Sequence, residues 1–151
     1  MANYKYSLAN YSVDIQPDDP TINSILGRLR IGGEGSAVGQ ISIELDNDMW
    51  STEAYPTGAW VHNKNLSRVG KVTLQLNQLS SYEAKLRQLY NIYYGGDYAG
   101  VTLTVYDNST GSRNKVVSCV DCYLTKIPAL TFQETAQQDD WIFTCGEVNF
   151  I

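Results

Sequence analysis

Hydrophobic and polar positions alternate most regularly in two segments of the chain, and both predict half-buried strands. In residues 70–77 an apolar side chain stands at every second position, as at Val72 and Leu74, and Ile41 and Ile43 continue the same pattern in residues 38–45. Residues two apart lie on the same face of a strand, so the intervening polar residues share the opposite face. These polar residues are Ser42, Glu44, Thr73, Gln75 and Asn77.

A helical pattern follows directly. Ser80 precedes Glu83 by three residues, a spacing typical of a capping box in which the serine hydroxyl accepts from a helix amide and the carboxylate reaches back. Apolar residues then recur at helical spacing until Gly95 and Gly96 end the pattern. We expect one amphipathic helix over about residues 81–94, packed inward through Leu86, Leu89 and Tyr93.

The remaining alternation adds further strands. Residues 4–15 look extended before Asp18-Asp19-Pro20 breaks the pattern, residues 25–31 suggest a short strand, and Gly32-Gly33-Glu34-Gly35 predicts a turn. Strands are also expected at 100–106, 115–126, 130–134 and 141–150, with a possible bulge at Gly146. Seven to nine short strands and one helix predict a mainly β fold, a sandwich or barrel, in a single domain over residues 1–151.

Residues 46–67 lose all periodicity and form a long predicted loop. The loop contains four large apolar side chains, Met49, Trp50, Tyr55 and Trp60. One interpretation is a loop folded back over its own core. The other is an arm that docks on a neighbouring subunit, where aromatic residues act as anchors.

Composition limits the partners. The chain has 151 residues, a net charge of −5 and 11 tyrosines. An acidic protein is a poor ligand for phosphate backbones, although like charge suits a channel through which nucleic acid passes without binding. The sequence shows no run of about 20 apolar residues and no signal-peptide pattern, so we expect no membrane span and folding in a cytoplasm.

Candidate chemistry is sparse. The single histidine, His62, lies in the predicted loop with no nucleophile motif beside it. Cys119 and Cys122 would need Cys145 and His62 to hold zinc, but residues three apart should face opposite sides of a strand. The Gly32–Gly35 stretch lacks the features of a phosphate loop, and the Asp46, Asp48, Asp139, Asp140 set lacks the EF-hand spacing. We expect no catalytic residues, metal site or cofactor.

Three segments together resemble a known family. They read ISIELDNDMW, GKVTLQLNQLSSYEAKLRQLYN and CYLTKIPALTFQETAQQDDWIFTCGEVNFI. Their order and spacing are similar to the tail tube proteins of contractile-tailed bacteriophages, and the likeness extends from about residue 38 to the end. The matching parts are the strand G-x-V-T-L-x-L, the helix ending in L-x-x-L-Y-N, and K-x-P-x-L-T-F followed by W-x-F-x-C-G; no single one of them is diagnostic.

The resemblance implies a barrel-like structural subunit with one flanking helix and no enzymatic activity. Six copies would form a ring, rings would stack into a hollow tube inside a sheath, and DNA would leave through the bore without specific binding. Sheath, baseplate and tail terminator proteins would be the other partners, in a virion assembled in the host cytoplasm. Met49, Trp50, Tyr55 and Trp60 would contact the adjacent ring, and Ser42, Glu44, Thr73, Gln75 and Asn77 would line the lumen.

Two alternatives remain from the sequence. The same subunit design would serve a phage-derived bacteriocin or a type VI secretion-like system. A carbohydrate-binding β-sandwich module would also combine many strands with exposed Trp and Tyr.

Overall fold

The computed structural model describes residues 6–32 and 38–151, and these residues form nine β-strands and two α-helices. The strands are β1 (Tyr11–Pro17), β2 (Leu29–Gly32), β3 (Val38–Leu45), β4 (Trp50–Ala54), β5 (Trp60–Lys64), β6 (Gly70–Asn77), β7 (Val101–Asp107), β8 (Asn114–Leu124) and β9 (Gln138–Phe150). The helices are α1 (Pro20–Leu26) and α2 (Ser81–Ile92), and short 3₁₀ turns lie at Leu8–Asn10 and Tyr93–Gly95.

Seven strands form one antiparallel sheet in the order β2-β1-β7-β8-β9-β6-β3, while β4 and β5 pair only with each other. The central ladder joins β6 to β9, where Val72 opposes Phe143 and Leu74 opposes Trp141. Alternation along both strands places these four side chains on one face, and all are fully buried.

The sheet is strongly curled. Ile41 and Ile43 on edge strand β3 line the same cavity as Tyr11 on β1 and Val105 on β7. In a flat sheet β1 and β3 would be about 24 Å apart, since five interstrand spacings separate them. The predicted mainly β, barrel-like fold is therefore confirmed, as a half-barrel whose concave face holds the core.

Helix α2 closes against this core at the predicted position. The Ser80 hydroxyl accepts a hydrogen bond from the Tyr82 amide at 3.2 Å, which satisfies one orphan donor of the first turn. Leu86 and Leu89 are buried, and Tyr93 is half-buried against the same cluster.

Helix α1 was not predicted. The Asp18-Asp19-Pro20 sequence starts it: the Asp19 carboxylate accepts from the Thr21 amide at 2.8 Å, and Pro20 occupies the first turn. Gly27, with φ of 67°, ends it, and Ile22 is its buried anchor.

Other expectations differ in detail. Residues 8–10 form a 3₁₀ turn rather than extended chain, and residues 130–134 form no strand. The strand expected at 25–31 begins only at Leu29. The expectations for Tyr4 and for the glycine turn at 33–35 lie outside the described residues.

Candidate functional site: an exposed arm and a polar sheet face

Residues 46–67, here called the arm, are a β-hairpin rather than an irregular loop. Tyr55-Pro56-Thr57-Gly58 makes the turn: the Gly58 amide donates to the Tyr55 carbonyl at 3.0 Å, and Gly58 has φ of 86°. A type I turn followed by a glycine in the left-handed region is a common hairpin connection. The arm extends the β3–β6 ladder, because the Asp46 amide donates to the Val69 carbonyl at 3.0 Å.

Every residue of β4 and β5 is exposed. The interpretation in which this segment folds back over its own core is therefore wrong. Trp60 is 66% exposed and Trp50 55%, and Met49 and Tyr55 are exposed as well. Two paired strands alone are marginally stable in water, so an arm with this many aromatic side chains is suited to a partner surface.

The two tryptophans lie on the same face of the arm. The register pairs Trp50 with Lys64 and Thr52 with His62, so these residues and Trp60 share one side. The Lys64 ammonium lies 5.4 Å from the centre of the Trp50 ring, and the Thr52 hydroxyl is 2.8 Å from His62 Nδ1. This face combines aromatic area with basic groups.

A second surface is the convex face of the sheet between β3 and β6. Ser42 opposes Thr73 directly, and Glu44 opposes Lys71. The five residues expected from the sequence to share a polar face, Ser42, Glu44, Thr73, Gln75 and Asn77, all lie on this side, opposite the buried Val72, Leu74 and Leu76. Its charged groups on β3 and β6 are Glu44 and Lys71, so these two strands present a near-neutral polar wall.

Glu83 does not complete a capping box, contrary to expectation. Its side chain points into the core, where it accepts from the Trp141 indole Nε1 at 3.3 Å and lies 3.6 Å from the Arg87 guanidinium. The Ser80 amide donates instead to the Asn77 carbonyl. Burial raises the pKa of Glu83 to about 7, and the neighbouring Asp139 carboxyl adds to the rise. Asp139 Oδ2 is buried without a hydrogen-bond partner.

Tyr93 closes the end of α2. Its hydroxyl donates to the Ala99 carbonyl at 2.8 Å, and its ring meets Tyr98 and Tyr123 edge-on. Burial raises the pKa of Tyr93 to about 12, so the phenol stays protonated and remains a donor.

Cys119 and Cys122 do not face opposite sides of β8, and this expectation is also wrong. Asp121 has φ of 56°, and β8 shifts register against β7 between Val101 and Leu103. This irregularity in β8 turns both thiols into the core. The alternation of β9 breaks at Gly146, where a bulge was expected, because Cys145 and Val148 are three residues apart and both buried. Cys122 Sγ lies 2.9 Å from Cys145 Sγ, and all three cysteines are free and fully buried.

The full sets of residues considered for a zinc or calcium site do not come together in the described part of the chain. His62, which would complete a zinc site, lies on the exposed arm. Of the aspartates considered for calcium, Asp139 is separated from Asp46 by the length of β6 and β9. Within residues 6–32 and 38–151, no group of three or more His, Cys, Asp or Glu is placed to hold a metal ion.

A buried carboxylate on β1 was not expected from the sequence. Asp14 on β1 is 1% exposed and is bound by three arginines. Arg28 Nη2 lies 2.6 Å and Arg30 Nε 3.1 Å from its carboxylate, and Arg113 contacts it while covering the Tyr106 ring. The sequence feature that could have indicated this cluster is the pair Arg28 and Arg30, two residues apart in the segment predicted as a short strand.

Comparisons with known proteins agree with this architecture. The family described as "Bacteriophage PhiTE tail tube protein" matches residues 9–151. The chain belongs to this phage tail tube family. A comparison with curated protein sequences gave no significant match. None of the helices in the described ranges is long and apolar enough to cross a membrane.

Solved structures share the tail tube fold. One is the extracellular contractile injection system PVC sheath/tube terminator in the extended state, with a TM-score of 0.63 at 11% identity over 99% of this chain and 98% of that one. The PVC sheath-tube complex gives 0.61 at 11% identity, covering 98% of this chain and 92% of the other. The anti-feeding prophage tube terminating cap gives 0.60 at 13% identity, covering 99% and 92%.

Proposed function

We propose that this tail tube family member is the structural subunit of the inner tube of a contractile phage tail. Six copies form a ring, rings stack into a hollow tube, and DNA is ejected through the bore. The observation that carries the proposal is the exposed aromatic arm on a chain whose family is that of a tail tube protein.

The arm supports stacking. Met49, Trp50, Tyr55 and Trp60 are exposed together on a hairpin that leaves the sheet at the end of β3. Burying such side chains against the adjacent ring removes aromatic area from water, which is the usual source of interface energy.

The convex polar face supports a lumen wall. Ser42, Glu44, Thr73, Gln75 and Asn77 offer hydrogen-bonding groups without an excess of cations. A wall of this kind does not release the counterions of DNA, so the phosphate backbone gains little by binding to it.

The edges of the sheet support ring closure. Strands β2 and β3 each have one unpaired side within the described residues. Unpaired edges promote further pairing, and a closed ring of copies removes them. Sheath, baseplate and terminator proteins are the proposed partners outside and at the ends of the tube, in the assembled virion.

Electron microscopy of the purified protein at high concentration, with and without baseplate, tests the proposal. Hollow tubes or six-fold rings are expected. A ring of another symmetry contradicts the stoichiometry, and a monomer that persists with baseplate present contradicts the tube. A glycan array distinguishes the carbohydrate-binding alternative.

A further inference from the structure

A groove at the far end of the β6–β9 pair is not explained by the fold. It has a volume of about 530 Å³ and is lined by Gln78, Leu79, Phe132, Gln133, Glu134 and Ala136. Phe132 is 84% exposed and Leu79 83%, the highest values among the large apolar side chains described. Two such side chains beside one groove indicate a surface that another protein covers.

The groove is held in shape by hydrogen bonds from one side chain. Gln78 Nε2 donates to the Thr131 carbonyl at 3.0 Å, and Gln78 Oε1 accepts from the Gln137 amide at 3.3 Å. The Gln78 amide also donates to the Gln137 carbonyl at 2.8 Å. Residues 131–137 are thereby tied to the end of β6, so the groove exists before any partner arrives.

The arm and the groove lie at opposite ends of the same strand pair. Gly70 opens β6 beside the base of the arm, and Asn77 closes it beside Gln78. Seven residue steps separate the two ends by about 24 Å. Two different surfaces at opposite ends of one subunit are the arrangement that a head-to-tail, open-ended contact requires.

The two surfaces also match in chemistry. The tryptophan face of the arm carries the positively charged Lys64, and the charged residue that lines the groove is the acidic Glu134. Apolar side chains on both sides would meet with opposite charges beside them, which fixes orientation as well as affinity.

From this placement we infer that the groove around Leu79 and Phe132 receives the arm of a second copy of this chain. The inference rests on the proposed tube function and names the acceptor of the arm in the adjacent ring. The two tryptophans of the arm bury about 300–500 Å², less than a stable interface between two free proteins needs. The contact therefore gains its strength from repetition around a ring.

The test uses two complementary variants of the full chain. The arm variant is Trp50→Ser with Trp60→Ser, and the groove variant is Leu79→Asp with Phe132→Asp. All four residues are exposed, so both variants are expected to fold, and circular dichroism checks this. The matched control, Leu79→Met with Phe132→Leu, keeps the groove apolar and is expected to form tubes like the wild type.

Each variant alone is expected to form rings but no tubes under the electron microscope. Their mixture restores one intact contact, because arms of the groove variant meet grooves of the arm variant. The mixture should therefore give double rings that do not extend. Tubes formed by the groove variant alone, or a mixture that stays as single rings, would overturn the inference. A wild type without rings or tubes under the same conditions contradicts the proposed function itself.

Discussion

The indole Nε1 of Trp141 donates a hydrogen bond to Oε1 of Glu83 at 3.3 Å, and this contact joins β9 to helix α2 inside the core. Both side chains are buried, and Asp139 lies beside them on the same strand. Burial beside a second carboxyl group favours the protonated form of Glu83. The attachment of α2 to the sheet therefore depends on pH.

The sign follows from the pKa of Glu83. Its ordinary value of 4.5 rises to about 7 in the folded protein, so the folded state holds the proton more tightly than the unfolded chain. The stability from this group is complete below about pH 4.5 and is lost as the pH rises to about 7. Glu83→Gln keeps an acceptor for Trp141 without a titrating group. We expect the variant to match the wild type near pH 4.5 and to melt at higher temperature at pH 8.

Calorimetry of both proteins between pH 4.5 and 8 measures this difference. Titrating groups that do not interact with Glu83 cancel when the two melting temperatures are subtracted. A constant difference across the range would show that Glu83 does not titrate there. Glu44→Gln, on an exposed edge strand, is the control for removing an acidic side chain outside the core.

The second prediction concerns the packing of Leu86, on helix α2, into the core. Its side chain is fully buried under the helix, so Leu86→Ala removes apolar contacts and leaves a cavity. The free energy of unfolding should fall by about 2–5 kcal/mol, as measured by urea denaturation. The exposed Lys85→Ala on the same helix should change it by less than about 0.5 kcal/mol. An equal effect of the two would contradict inward packing.

Much of this region follows from the sequence, because its local signals agree with its tertiary environment. The alternation in residues 70–77 matches the burial of β6, and the Ser80 cap fixes the start of α2. The role of Glu83 does not follow from the sequence. Glu83 stands three residues after the Ser80 cap, where a capping box places a glutamate, and also three residues before Leu86, on the buried face of the helix. The Glu83 side chain turns into the core rather than back to the Ser80 amide, because Trp141 on the facing strand offers it a hydrogen-bond donor there.

The cysteines show a second reason why a prediction from sequence can fail. Period-two reasoning assumes a regular strand, and the positive φ of Asp121 breaks that assumption in β8. Likewise, Asp19-Pro20 can end a strand or begin a helix. Here it begins helix α1, whose buried residue Ile22 packs into the core. The turn Pro56-Thr57-Gly58 in the arm was readable as a hairpin signal, although its flanking strands lack the apolar alternation that normally marks them.

The thiol cluster makes a prediction about reactivity. Contact with Cys145 and burial raise the pKa of Cys119, and the pKa of Cys145 is about 12, since contact with Cys122 and burial outweigh the lowering effect of Cys119. Protonated, buried thiols react slowly. Ellman's reagent at pH 8 should find no reactive thiol in the native protein and three after guanidinium unfolding. A thiol that reacts rapidly in the native state would contradict the buried cluster.

The next prediction concerns how much the buried Asp14 carboxylate, which contacts three arginines, contributes to the free energy of unfolding. Asp14→Asn removes the charge and leaves Arg28, Arg30 and Arg113 to repel one another. Because the three arginines reach solvent, we expect a loss of about 1–3 kcal/mol in unfolding free energy, less than for a fully buried pair. Denaturant titration measures it, with the exposed Asp97→Asn as control. A neutral effect of Asp14→Asn would mean that water already screens the cluster.

The last prediction concerns the convex polar face and the passage of DNA. If this face lines the bore, Glu44→Lys with Asn77→Lys places cations against the phosphate backbone and releases counterions on contact. Tubes of this variant should retain short duplex DNA at low salt and lose it as salt rises, whereas wild-type tubes should retain little at either. Co-sedimentation with labelled DNA measures retention. Asp97→Lys with Ser109→Lys makes the same change in net charge away from this face, beside the 3₁₀ turn at Tyr93–Gly95 and on the β7–β8 turn. Equal retention by both variants would mean that DNA binds the outside of the tube and that the convex face is not the lumen wall.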